Sequence, residues 1–189
     1  RKNKSLVNQL KIYRSTLVDN QWSDIVELPF NGTNYSVEHP ALSPDEKQLY
    51  FSSDMPGTSG SFDLYVVDIN EDGTYGLPKN LGNSINTEQR EQFPFVSSTN
   101  TLYFASDGLP GMGGVDLFVS RINDDGSWSM PENLGYPINT HGNENSLLVE
   151  TVDGEENSST LDSQLEDIAA IMNGIETEGS GYHHHKASP

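Results

Sequence analysis

The sequence predicts an all-β fold built from four-stranded antiparallel units that repeat every 53 residues, and three observations carry that expectation. Residues 49–91 lie over residues 102–144 without a gap, and 21 of the 43 positions are identical. Each copy breaks into short β-branched or alternating runs, QLYFSSD then DLYVVDI and TLYFASD then DLFVSRI, bounded by Gly, Pro, Asn and Asp. An aromatic recurs as Trp22, Tyr75 and Trp128, and a leucine as Leu28, Leu81 and Leu134, so a partial copy precedes the two full ones. Four antiparallel strands at this spacing are the pattern of a β-propeller blade.

The elements follow in chain order. Residues 1–14 carry five bases and no acid, and 1–9 read as a solvated basic arm. Residues 10–30 read as the outer half of one blade. Residues 39–86 form a full blade, from HPALSP through QLYFSSD and DLYVVDI to a fourth strand around Tyr75. Residues 93–139 form a second, from FPFVSS through TLYFASD and DLFVSRI to a fourth strand around Trp128. Between strands three and four, NEDG and NDDG place Gly73 and Gly126 where a tight hairpin needs positive φ.

The partial propeller of residues 10–149 ends with the start of a further strand at 146–149, after which TVDGEENSSTLDSQLEDI abandons the pattern. A closed propeller uses about four to eight blades, so two and a half leave open edges that invite pairing with another chain. In the acidic tail, 150–189, Leu161, Leu165, Ile168 and Met172 fall at helical spacing. Ser159 or Thr160 can cap the start and Gly174 the end, giving an amphipathic helix over about 160–173. The end, with His183, His184 and His185, reads as linker and tag-like terminus.

Composition excludes some functions. The formal charge is −18, and the tail from 151 holds 8 acids against one lysine. Such a surface repels a phosphate backbone, so no nucleic acid is expected as a partner. The absence of cysteine removes disulfides and thiolate metal sites. No apolar run approaches the roughly 20 residues of a membrane span, and the chain reads as soluble or as part of a mature protein.

Several motifs bear on catalysis and ligand binding. SDGLPGMGGVDLF, residues 106–118, is glycine-rich, yet a strand follows it where a phosphate loop needs a helix. Asp68, Asn70 and Asp72 with Gly73 form the first half of a calcium loop, but Lys79 stands where the bidentate glutamate belongs and Arg121 replaces Asp68 in the second copy. Asp54 with Asp63, and Asp107 with Asp116, bracket the glycine loops in both copies. Because an active site is built once and a structural device recurs, these read as turn aspartates accepting backbone N–H groups. Asn80, Asn86, Asn133 and Asn139 read as a similar device between blades. His39 aligns with Phe93, which favours packing, and His141 stands alone in a loop. With no nucleophile beside a base, neither enzyme activity nor a cofactor is expected.

A surface remains. The loops joining strands two and three emerge on the same face as the blade-to-blade connections, and Met55, Glu88, Arg90, Leu109, Met112 and His141 mark that face as a candidate interaction site.

SPDEKQLYFSSD resembles the S-P-D-G-x-x-L-x-F motif of the TolB-type, WD40-like PD40 repeat, with Glu46 in the glycine position and SSTNT replacing SPDEKQ in the second copy. Together with G-x-x-G-x-x-D-L-Y/F and P-x-N-L-G-x-x-I-N-T, it is similar to the propeller of PorE-like and other OmpA-family envelope proteins. That resemblance implies a periplasmic or outer-membrane-associated location and other envelope proteins as partners. It also implies type IX secretion, and peptidoglycan association through domains outside this sequence. The function expected is a non-catalytic scaffold or protein-interaction module; the alternative is a glycan- or calcium-binding propeller or a hydrolase domain.

Overall fold

A computed structural model of the chain describes residues 9–147. The expected arm at 1–9, the strand at 146–149 and the helix at 160–173 lie wholly or mostly outside that range. The described part is all-β, without a helix, and forms three antiparallel sheets.

The first sheet is the hairpin β1 (Tyr13–Val18) and β2 (Gln21–Glu27). Its two-residue loop, Asp19 and Asn20, holds both residues at positive φ, 49° and 61°, the twist-matched turn that Asp and Asn tolerate best after glycine. The second sheet runs β3 (Val37–Leu42), β4 (Gln48–Ser53), β5 (Asp63–Asp68), β6 (Lys79–Asn80). The third repeats it as β7 (Glu91–Val96), β8 (Thr101–Ser106), β9 (Asp116–Arg121), β10 (Glu132–Asn133).

Two boundaries differ from the sequence reading. The first strands begin two residues earlier, at Val37 and Glu91, and each contains a bulge where His39 and Phe93 take φ of 52°. A proline follows each of them, tolerated because β3 and β7 are edge strands with nothing to receive a donor there. The fourth strand is not centred on the aromatic. Tyr75 and Trp128 make only isolated bridges, to Ile69 and Ile122, and pairing with the third strand resumes at 79–80 and 132–133.

Turn chemistry between strands one and two recurs even where the sequence diverges. Glu46, in the glycine position of the motif, has φ of 56°, and Asn100 has 57°. In the first copy the Ser43 hydroxyl donates to Asp45 and accepts from the Gln48 N–H at 2.9 Å, which holds the turn without glycine.

The core lies between sheets. Ile12, Leu28 and Phe30 pack against Leu49, Phe51, Tyr65 and Val67. Phe51, fully buried, stacks on Phe30 at 4.8 Å and Tyr65 at 5.8 Å; such a ring contributes about 2–3 kcal/mol by burial. The opposite face of the second sheet, with Tyr50, Leu64 and Ile85, meets Val96, Leu102, Phe104 and Phe118 of the third, while Trp128 sits edge-on to Tyr50 at 6.3 Å. Between these two sheets, β7 meets β3, β4 and β5, whereas β6 and β10 do not touch the neighbouring sheet. The sheets therefore converge at their first strands and diverge outward, like a fan.

Candidate interaction face

The face is built by a connection that occurs three times. As the chain passes to the next sheet, the N–H of Val37 bonds the carbonyl of Leu10, that of Glu91 bonds Phe62, and that of Glu144 bonds Val115, at 2.8–2.9 Å. Just before it, an asparagine amide clamps the third strand. Asn86 Oδ1 accepts the Leu64 N–H at 2.8 Å and its Nδ2 donates to the Leu64 carbonyl at 3.0 Å; Asn139 does the same to Leu117, both at 2.8 Å, and Asn31 to Ile12. The side chain thus imitates one rung of a β-ladder. Asn80 and Asn133 support the clamp, each Oδ1 accepting from the clamp amide at 2.8 Å. These bonds lie within one unit, correcting the expectation of a device between units.

The aspartates sit at the ends of the glycine loops. Asp63 accepts the N–H groups of Ser59 and Gly60 and the Asn80 amide; Asp116 accepts those of Met112 and Gly113. Asp54 and Asp107 reach instead to the incoming connection, accepting the N–H of Ser36 at 2.6 Å and of Arg90 at 2.8 Å. Asp54 and Asp63 therefore bind separate backbone segments and do not form a carboxylate pair. Gly60 and Gly113 occupy equivalent positions, and a Cβ at either would run into backbone carbonyl oxygens of the outgoing connection, Thr87 and Gln89 or Thr140 and Gly142. The loop and the connection touch backbone to backbone, and that contact is why glycine recurs.

The candidate contact residues divide. Met55 is 8% exposed and belongs to the core with Phe51 and Tyr65, so it is removed from the face: its loop turns inward, with the Thr58 N–H bonding the Met55 carbonyl at 3.1 Å. Leu109 packs partly against the second core cluster. Met112, Glu88, Arg90 and His141 are exposed. Arg90 is engaged, its guanidinium donating to Asp107 Oδ2 at 2.6 and 2.8 Å. His141 Nδ1 lies 3.3 Å from the Met112 carbonyl, joining the second glycine loop to the last connection.

The calcium half-loop is a hairpin turn. Lys79 Nζ lies 2.7 Å from Asp68 Oδ2, Asn70 donates to the Thr74 hydroxyl, and Asp72 accepts the Thr74 N–H at 3.0 Å. Gly73 and Gly126, at φ of 77° and 80°, close this turn in each copy. The ammonium stands where a cation would, and among the described residues no three His, Asp or Glu side chains converge on a metal-sized site. The salt bridge and the Gln48 amide hold the Asp68 pKa below its ordinary range, and hydrogen bonds from Thr74 do so for Asp72.

Two structural residues, Asn31 and Glu91, escaped the sequence reading. Asn31 was hidden because Leu28 and Asn31 are closer in sequence than Leu81 and Asn86. Glu91 is fully buried: its carboxylate accepts the Thr87 N–H and hydroxyl and the Ser106 hydroxyl, each at 2.8 Å. Burial raises its pKa against those hydrogen bonds, and its recurrence as Glu144 in the repeat was the available signal. His39, expected to pack, stacks on Phe93 with centroids 3.7 Å apart, where the first strands of successive sheets meet, and burial lowers its pKa. No model of a known protein family matches the chain, and no curated protein matches it.

Proposed function

We propose that these sheets are blades of a β-propeller and that the chain is a non-catalytic scaffold, a protein-interaction module of a bacterial cell-envelope protein. The observation that carries this reading is the threefold recurrence of one bonded unit, the asparagine clamp with its connection, in sheets that fan out from their first strands. A fan of this kind places connections and glycine loops together on one end, where docking loops on a rigid framework are best positioned. The carboxylates that would be needed for acid or base chemistry are spent on backbone N–H groups. The resemblance of SPDEKQLYFSSD to TolB-type repeats supports a periplasmic or outer-membrane-associated setting, with PorE-like, type IX secretion or OmpA-family assemblies as the partner class.

Site-specific photo-crosslinking tests this directly. A crosslinker at Met112 or Glu88 should capture defined envelope proteins in Gram-negative periplasm, whereas one at Glu71, in the hairpin turn expected on the opposite face, should not. Equal capture from both positions would overturn the reading. Turnover of muropeptides or glycosides that is lost in Asp107→Asn or Asp116→Asn would replace it with the hydrolase alternative.

A further inference from the structure

The clamp asparagine of the first unit differs from the other two in the residue that follows it. After Asn86 and Asn139 come Thr87 and Thr140, whose hydroxyls bond Glu91 and Glu144. After Asn31 comes Gly32, and no other asparagine among residues 9–147 has glycine next in the chain. Packing requires that glycine. The Tyr35 ring lies against it, with the hydroxyl donating to the Phe30 carbonyl at 3.1 Å, and a Cβ at residue 32 would collide with the ring. The clamp requires the asparagine, since Oδ1 accepts the Ile12 N–H at 3.0 Å and Nδ2 donates to the Ile12 carbonyl at 2.7 Å. The fold thus sets side by side a labile amide and a backbone nitrogen that no side chain shields or restrains.

We propose that Asn31 is a self-modification site gated by its own clamp. The Gly32 backbone nitrogen attacks Asn31 Cγ; the N–Cγ bond forms, the Cγ–Nδ2 bond breaks, and Nδ2 leaves as ammonia with the proton that Gly32 gave up. Water then opens the five-membered imide at either carbonyl and leaves aspartate or isoaspartate at position 31. In the closed unit both amide atoms are bonded to Ile12, and turning Cγ onto the Gly32 nitrogen breaks both bonds. Asn31 is half-buried, whereas Asn86 and Asn139 are buried, so a local opening suffices to free it. The product cannot close the clamp again. Aspartate sets a carboxylate oxygen against the Ile12 carbonyl, and isoaspartate adds a backbone carbon before Gly32, beside the Tyr35 ring. A transient opening of the first unit thereby becomes permanent, at the start of the connection that reaches the interaction face through the Ser36 N–H on Asp54 at 2.6 Å.

The test incubates the full chain at mildly alkaline pH and follows it by peptide mapping that resolves asparagine, aspartate and isoaspartate. A free peptide of residues 28–36, LPFNGTNYS, sets the ungated rate. In the chain, residue 31 should convert ahead of every other asparagine of residues 9–147, at about a tenth of the peptide's rate or less. Leu28→Ala thins the packing of the hairpin on the second sheet and should speed conversion about fivefold or more, and urea below the unfolding transition should do the same for the parent chain. Leu77→Ala, at a side chain 84% exposed in the second sheet's unit, should leave the rate within about twofold. Asn31→Asp carries the product, and its Ile12 amide should exchange with solvent at least about fivefold faster than the parent's. Conversion as fast as in the peptide, earlier conversion of another asparagine in that range, no conversion or no acceleration in urea, or parental protection of Ile12 in Asn31→Asp would each overturn the proposal.

Discussion

Removing the Asn139 side chain tests whether the asparagine clamp holds each unit together. Asn139 is fully buried, accepts the Leu117 N–H and donates to the Leu117 carbonyl and to Asn133 Oδ1, all at 2.8 Å. In Asn139→Ala the two acceptors keep other donors, Leu134 N–H at 3.1 Å and Gly135 N–H at 2.8 Å. The Leu117 N–H keeps none, and a buried donor without an acceptor costs about 1–3 kcal/mol on top of the bonds lost. The expected loss is about 3 kcal/mol. Asn31, only half-buried, should cost about 1 kcal/mol because water can replace its amide.

The isosteric Asn139→Asp separates hydrogen bonding from packing. One carboxyl oxygen still accepts the Leu117 N–H, but the other faces two acceptors and must carry a proton. Its folded pKa therefore rises above the unfolded value of about 3.9. Below about pH 4 the variant should match the parent, and as pH rises it should lose about 1.4 kcal/mol per unit until the folded pKa is passed. Urea unfolding followed by far-UV circular dichroism at pH 4 and pH 7 measures both variants against the parent. A loss under about 1 kcal/mol for Asn139→Ala, or no pH dependence for Asn139→Asp, would show that the amide is incidental.

The other expectations are simpler. Gly113→Ala drives a methyl group into the Gly142 carbonyl and should lower stability by about 2 kcal/mol or more in the same denaturation assay. Asp107→Ala removes the acceptor of both the Arg90 backbone N–H and its guanidinium, so it should destabilise more than Arg90→Ala, an exposed partner expected to cost under about 1 kcal/mol. Chelators and millimolar calcium should leave the melting temperature unchanged, because Lys79 already neutralises Asp68. Burial raises the Glu91 pKa above its ordinary 4.5, so Glu91 stabilises the fold most below that value and less as pH rises through the folded pKa. Glu91→Gln should flatten that part of the stability–pH curve relative to the parent, its amide still bonded by the hydroxyls of Thr87 and Ser106.

The strands were legible because composition and repetition say the same thing: DLYVVD and DLFVSR are short runs rich in β-branched and aromatic residues, buried on both faces, and each occurs at the same point of the repeat. Turns were legible where backbone sterics restrict the choice of residue, as at Gly73 and Gly126. Glu46 and Asn100 at positive φ show the limit, since side-chain hydrogen bonding replaced the glycine that a pattern would demand. The inward turn of Met55 could not be read from a loop full of Gly, Ser and Thr, because it depends on Phe30 and Phe51 arriving from elsewhere in the chain. The clamp was half legible. Asn86 and Asn139 announced themselves by recurrence, but their partners, the third-strand backbones of the same unit, are invisible to a side-chain alignment.

The residue that opens each first strand shows how one geometry takes different chemistry. Val37, Glu91 and Glu144 each donate the same backbone hydrogen bond to the preceding unit. At Val37 the polar work is done by its neighbours, with Ser53 donating to the Ser36 carbonyl and Asp54 accepting the Ser36 N–H, so an apolar side chain fits. At Glu91 the threonine before it and Ser106 on the adjoining strand turn their hydroxyls inward, and together they satisfy a carboxylate that burial would otherwise expel. Glu144 repeats the threonine contact through Thr140 at 2.7 Å, but its Oε2 is buried with no partner among the described residues. At Glu91 the corresponding oxygen accepts the Thr87 N–H at 2.8 Å, so among the described residues the two glutamates share the threonine hydroxyl contact and not the backbone one.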